Sequence, residues 1–178
     1  MAIPDQKKLA ELMRQDAPGE LWDIYDAAGN KTGRVQRRGE PLQDGDWHLC
    51  VHVWVQNSRG EYLLTLRAPG KPAAGLWECT GGSAISGESS LDAALREVRE
   101  ETGLRLDPEK GQLLFRMSKD HYHCDVWRFQ QNFDLEDVVL QPGETADARL
   151  APARTIRRLH ALGQFFTFDD MERVLDWK

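Results

Sequence analysis

The sequence predicts a single α/β domain, and three observations carry that prediction. Its 178 residues amount to about one domain, enough to bury a single core. Apolar, β-rich runs separated by Gly and Asn turns fill much of the chain, with one strongly capped amphipathic helix among them. Hydrophobic residues make up 40% and charged residues 29%, a globular balance rather than that of a disordered chain.

Along the chain, residues 5 to 15 carry Lys8-Leu9-Ala10-Glu11-Leu12-Met13, a short amphipathic arm that Pro18-Gly19 ends. Leu21 to Tyr25 and Gly33 to Val35 flank Asp26-Ala27-Ala28-Gly29-Asn30, whose Gly and Asn tolerate positive φ, and this predicts a hairpin. His48 to Gln56 and Glu61 to Arg67 flank Asn57-Ser58-Arg59-Gly60 and predict a second hairpin made of central strands. Between Ala68 and Gly87 the density of Gly and Pro predicts a long loop, interrupted by one short strand near Trp77 to Cys79. Ser89 or Ser90 then caps a helix over 90–102. Its Leu91, Ala94, Leu95 and Val98 make one apolar face, and Gly103 stands where a helix-stopping glycine belongs. Leu113 to Met117 and Tyr122 to Phe133 follow as strands, and Thr155 to Leu162 and Phe168 to Trp177 as helices, the first with Ile156 and Leu159 inward.

Charge and patterning exclude several classes of function. Lys and Arg total 23 against 29 Asp and Glu, a net charge of −6, which argues against a binder of nucleic-acid polymers. No apolar run approaches a membrane span, and residues 1–13 lack the apolar stretch of a secretory signal, so a cytoplasmic location is expected. Cys50, Cys79 and Cys124 are odd in number, widely spaced and form no CxxC, and they read as small buried hydrophobes.

The chemistry gathers on the 90–102 helix. Glu97, Glu100 and Glu101 share one helix face, where like charges repel. Such a face is either a solvated acidic surface or a divalent-cation site, since hard cations take carboxylate oxygens and then oxygens of substrate phosphates. The surrounding pattern runs Gly82, five residues, Glu88, seven residues, then Arg96-Glu97-Val98-Arg99-Glu100-Glu101-Thr102-Gly103-Leu104. It resembles the Nudix box at every defining position. A chance match of this kind is on the order of 10⁻⁷ at background residue frequencies.

The resemblance implies a Nudix fold: a mixed, curved β-sheet packed between α-helices in an α/β/α sandwich. The core is expected at 45–150, with a helix-and-hairpin extension at 1–44 and C-terminal helices at 151–178 as additions. It also implies Mg²⁺- or Mn²⁺-dependent hydrolysis of a small organic diphosphate. Glu97, Glu100, Glu101 and the Gly82 carbonyl match the metal ligands; Glu97, Glu100 and Arg96 match the catalytic set. Glu88 supports them through Arg96, which orients the glutamates. Glu97 is the first candidate for general base and Glu144 the second. Arg67, Lys71, Trp77 and Glu144 are candidate substrate contacts, and a homodimer is plausible by analogy.

Segment 45–88 looks like the branch related to isopentenyl diphosphate isomerase. An isomerase needs a cysteine followed two positions later by a metal-binding histidine, and the matching positions here are Gly82 and Ala84. A hydrolase is therefore favoured over an isomerase, with a non-catalytic diphosphate-binding module as a further alternative. His48 matches a metal-binding histidine of the isomerases but lacks that partner. Two other features carry bland and functional readings side by side. His121 and His123 could form a metal pair or be ordinary strand histidines, and Lys31, Arg34, Arg37 and Arg38 could meet phosphates or edge a solvated hairpin.

Overall fold

A computed structural model describes residues 19–167 and 169–177. The arm helix expected at 5 to 15 lies outside the described residues, as does Phe168. The first hairpin forms as expected from β1 (Leu21–Tyr25) and β2 (Lys31–Arg37). Its turn is tied by Asp26, whose Oδ1 accepts from the backbone N–H groups of Ala28 and Asn30, both at 2.9 Å.

Among the described residues the main sheet has seven strands. β3 (His48–Gln56), β4 (Glu61–Arg67), β5 (Trp77–Glu78), β6 (Thr80–Ser83), β7 (Gly111–Lys119), β8 (Tyr122–Gln130) and β9 (Thr145–Pro152) build it on the path β5-β4-β3-β8-β7, with β6 against β3 and β9 against β4. β3 and β8 run parallel, in register from His48↔Tyr122 to Gln56↔Gln130; the other pairs are antiparallel. The helices are α1 (Ser90–Thr102), α2 (Ala153–Ala161) and α3 (Met171–Leu175).

Alternation along β3 makes the sandwich. Leu49, Val51, Val53 and Val55 pack with Ala93, Ala94 and Val98 of α1 in one buried cluster. Trp54 belongs to the opposite cluster, with Ile156 and Leu159 of α2 and Met171 and Val174 of α3. A strand buried on both faces reads as a near-continuous apolar run, which is why the sequence marks it as central.

Three expectations need correction. β3 and β4 pair only beside their turn, at Gln56↔Tyr62, and then part. β6 and β8 take the edges of β3, while β5 and β9 take those of β4, and the chain from Trp77 to Ser83 crosses the gap between them. β9 lies where the sequence predicts no element; Ala146, Ala148 and Ala151 give it a weak β signal despite the alternation of Asp147 and Arg149. The C-terminal segment is also no mere addition, since Phe165, Met171 and Val174 lie in the second core cluster.

Candidate active site

Helix α1 is set by local chemistry. Ser89 caps it in a capping box with Asp92, a device worth about 1 kcal/mol, and Gly103 ends it at φ 71°, in the left-handed region a glycine enters without strain. Its buried face pins it against β3 and β6, and the neighbouring face carries Glu97, Glu100 and Glu101 into a cleft.

The three glutamates occupy different environments. Glu100 is 49% exposed at the rim, whereas the Glu97 side chain is 13% exposed. Arg96 gathers the upper part of the site. Its Nε and Nη2 donate to the two oxygens of Glu88 at 2.7 and 3.0 Å, its Nη1 to Glu97 and Glu100 at 2.9 and 3.0 Å, and its Nη2 also to the Ser83 carbonyl. Glu88 in turn accepts from the Ile85 N–H, so the expected Glu88–Arg96 pair forms and ties the glycine loop to the helix.

Gly82 lies against Glu97. A Cβ at this position would stand 2.2 to 2.6 Å from the Glu97 carboxylate atoms, so the carboxylate occupies the space that a side chain at Gly82 needs. The backbone of β6 and the acid are thus brought close together.

Deeper in the cleft the charges are less well matched. Glu101 and Glu78 line it together, and Oε2 of Glu101 is buried with no hydrogen-bond partner among the described residues. Burial pushes Glu101 well above the usual carboxylate range, and the charges of Glu78, Glu97 and Glu144 add to the effect. Burial likewise takes Glu97 up to about 7 against the pull of Arg96, and raises Glu78 despite its bond to Arg67. Clustered, desolvated carboxylates and an unmatched buried oxygen suit a bound cation: hard Mg²⁺ or Mn²⁺ takes oxygen ligands and relieves this repulsion. The donor set of Glu97, Glu100, Glu101 and the Gly82 carbonyl fits such an ion.

The candidate substrate contacts divide. Arg67 is buried at the cleft wall, donates to Glu78 at 2.5 Å and to the Pro72 carbonyl at 2.6 Å, and keeps Nη2 without a hydrogen-bond partner among the described residues. Lys71 and Glu144 also line the cleft, and they pair with one another. Trp77 does not line it; it packs beside the second core cluster, under the guanidinium of Arg149 at 5.0 Å. A tryptophan in so short a strand serves the core first.

The remaining histidines and cations resolve similarly. His48 lines the cleft, but it stacks on Trp22 with ring centroids 4.1 Å apart and has Nδ1 3.6 Å from Cys50 Sγ. His123 uses both ring nitrogens, on Ser118 Oγ at 2.7 Å and the Asp26 carbonyl at 2.8 Å, so it forms no metal pair with His121. Lys31, Arg34 and Arg38 meet Asp23, Asp46 and Glu20, and Arg37 donates to the Gly19 carbonyl. Cys79 and Cys124 are buried as expected, while Cys50 reaches the cleft.

Sequence reasoning missed Glu78, His52 and Asp170, all of which line the cleft. Asp170 accepts from His52 Nδ1 at 3.0 Å, Trp54 Nε1 at 2.9 Å and Thr167 Oγ1 at 3.0 Å. These donors outweigh its burial and hold it down at about 2. Only Glu78 carried a signal, through its place in the short strand leading to the box.

A mixed sheet between helices, with a capped acidic helix packed over a glycine strand, sets desolvated carboxylates in one cleft, and comparison with known proteins places the chain in a family. The NUDIX domain profile matches residues 46–176. The chain is 32% identical over 161 residues to an uncharacterised Nudix hydrolase of Listeria monocytogenes, covering 89% of this chain and 95% of that one. It is 34% identical over 87 residues to an isopentenyl-diphosphate Δ-isomerase of Shigella flexneri, 48% of each chain. Its fold matches the crystal structure of DR0079 from Deinococcus radiodurans with a TM-score of 0.71 at 20% identity, covering 87% of this chain and 97% of that one. The chain belongs to the Nudix hydrolase family, and its match includes the C-terminal helices.

Proposed function

We propose that this enzyme hydrolyses the diphosphate linkage of a nucleoside diphosphate derivative or related organic diphosphate with Mg²⁺ or Mn²⁺. The observation that carries the reading is the unmatched Oε2 of Glu101, buried beside other desolvated carboxylates. Glu97, Glu100, Glu101 and the Gly82 carbonyl hold the ion, which when bound neutralises phosphoryl charge and makes water a better nucleophile. Arg96 keeps Glu97 and Glu100 aimed into the cleft, with Glu88 fixing the arginine. Arg67 offers Nη2 to a phosphate oxygen, and Lys71 and Glu144 stand where they can contact the rest of the substrate. Glu97 remains the first candidate for general base and Glu144 the second. Gly82 weighs against isomerase chemistry, because a cysteine there would collide with Glu97.

A cytoplasmic location belongs to the same proposal: Cys50, Cys79 and Cys124 are free thiols, and no helix among the described residues is long and apolar enough to cross a membrane. So does a homodimer, for which the exposed Leu21 and Val35 of the first hairpin offer an apolar surface.

The test is product release from nucleoside diphosphate derivatives, dinucleotides, nucleotide sugars and prenyl diphosphates, with Mg²⁺, Mn²⁺ or chelator. Metal-dependent turnover that falls by at least about 100-fold in Glu101→Gln is expected. Absence of turnover on the whole panel, in protein that still binds a diphosphate, would replace the hydrolase reading with that of a binding module.

A further inference from the structure

We propose that His52, Cys79 and Asp170 form a further metal-binding site in the cleft, separate from the carboxylates of α1 and suited to Zn²⁺ or a similar borderline transition-metal ion. One ligand atom from each lies within 4.8 Å of the other two, and all three residues are buried. They converge from distant parts of the chain: β3, the crossing between β5 and β6, and the residue before α3.

The donor set is what separates this site from the glutamates. Imidazole and thiolate favour Zn²⁺ and its neighbours, whereas Mg²⁺ takes oxygens and retains its waters. The geometry is also close to what such an ion needs. Bonds of about 2.0–2.3 Å set tetrahedral ligand atoms roughly 3.3–3.8 Å apart. His52 Nδ1 and Asp170 Oδ2 already stand 3.0 Å apart, so an ion can take the place of the proton they share. The other separations, each within 4.8 Å, need to close by at most about 1–1.5 Å.

The surroundings orient the carboxylate as metal sites do through their outer hydrogen bonds. Trp54 Nε1 and Thr167 Oγ1 fix Asp170 from two sides. With His52 they use three of roughly four acceptor positions of a carboxylate. Binding at Nδ1 of a neutral His52 moves the ring proton to Nε2 and releases one proton to solvent, from the Cys79 thiol, leaving a neutral imidazole, a thiolate and a carboxylate on the ion. Three protein ligands leave a fourth position, and all three residues border the cleft, so that position can take water or a substrate group.

The test is optical and does not depend on hydrolysis. Metal-stripped full-length protein, with excess Mg²⁺ to occupy the glutamates, is titrated with Co²⁺. A sulfur-to-cobalt charge-transfer band that saturates near about one equivalent per chain and is erased by Zn²⁺ is expected. Cys79→Ser abolishes the band and Glu101→Gln retains it. No band in the wild type overturns the proposal, as does a band that survives Cys79→Ser and disappears in Cys50→Ser. Should Cys79→Ser fail to fold by circular dichroism, His52→Gln is used instead, with a loss of Co²⁺ affinity of about 100-fold or more expected. Unchanged affinity in that variant overturns the proposal.

Discussion

Two arginines border the same cleft and meet opposite balances of charge. Arg96 donates to Glu88, Glu97, Glu100 and the Ser83 carbonyl, so its part of the cleft is closed by hydrogen bonds within the protein. Arg67 meets Glu78 and the Pro72 carbonyl but leaves Nη2 without a hydrogen-bond partner among the described residues, and Glu101 in the same cleft leaves Oε2 in the same condition. A buried polar group without a partner costs about 1–3 kcal/mol, so the second region is held at a cost that a cation and a phosphate can relieve. The contrast separates a frame, which is satisfied before anything binds, from a receptor, which is not.

Removing the frame should have the largest effect. Arg96→Leu leaves Glu88 and Glu97 without their cation, and a loss of about 3 kcal/mol is expected in urea unfolding, with diphosphate hydrolysis reduced as well. A change below about 1 kcal/mol would mean that the network contributes little to folding.

The pH dependence of the metal-free protein reports on the desolvated carboxylates of both regions. Glu97 is raised from 4.5 to about 7, and burial raises Glu101 as well, so the folded state holds protons that the unfolded chain has released. Stability is therefore fully present below about pH 4.5 as far as these groups are concerned, and falls as pH rises from there through 7. For Glu97 alone the loss is at most about 3 kcal/mol. Thermal melts in chelator should show the decline for pH above that range's start, and saturating Mg²⁺ should flatten it. An identical slope with and without Mg²⁺ would separate these carboxylates from metal binding.

The smallest effect sharpens the same point by reversing a sign. In chelator, Glu101→Gln removes a group that burial disfavours as a charge, and melts at pH 8 should show a gain of about 1 kcal/mol alongside the loss of activity. Destabilisation instead would place Glu101 in the frame.

What the sequence revealed follows from how local each feature is. α1 was legible to its last residue because its Ser cap, apolar stripe and terminal glycine all lie within one short stretch, and the box spacing named its carboxylates. The bounds of β3 and β4 were legible from their apolar runs, but their separation was not, since the partners that part them come from β6, β8, β5 and β9. Arg67, Lys71 and Glu144, read from the sequence as candidate substrate contacts, line the cleft, while the pairing of Arg67 with Glu78 and of Lys71 with Glu144 depends on chain crossings that no spacing encodes. Trp77 carried an ambiguous signal, an aromatic beside the box, and packing beside the core settled it. Asp170 had no local signal at all, because its partners His52 and Trp54 lie on β3.

The parallel pairing of β3 with β8 bears on how the molecule comes into being. His48 aligns with Tyr122 across a long stretch of intervening chain, and Asp170 bonds Trp54 from near the C-terminus. Contacts so distant in sequence form late, after loop closure has been overcome. During synthesis the box helix can take shape early, while the wall of the cleft that Asp170 supplies is absent until the segment after α2 has emerged. A nascent chain therefore carries the acidic helix well before it carries a finished enzyme.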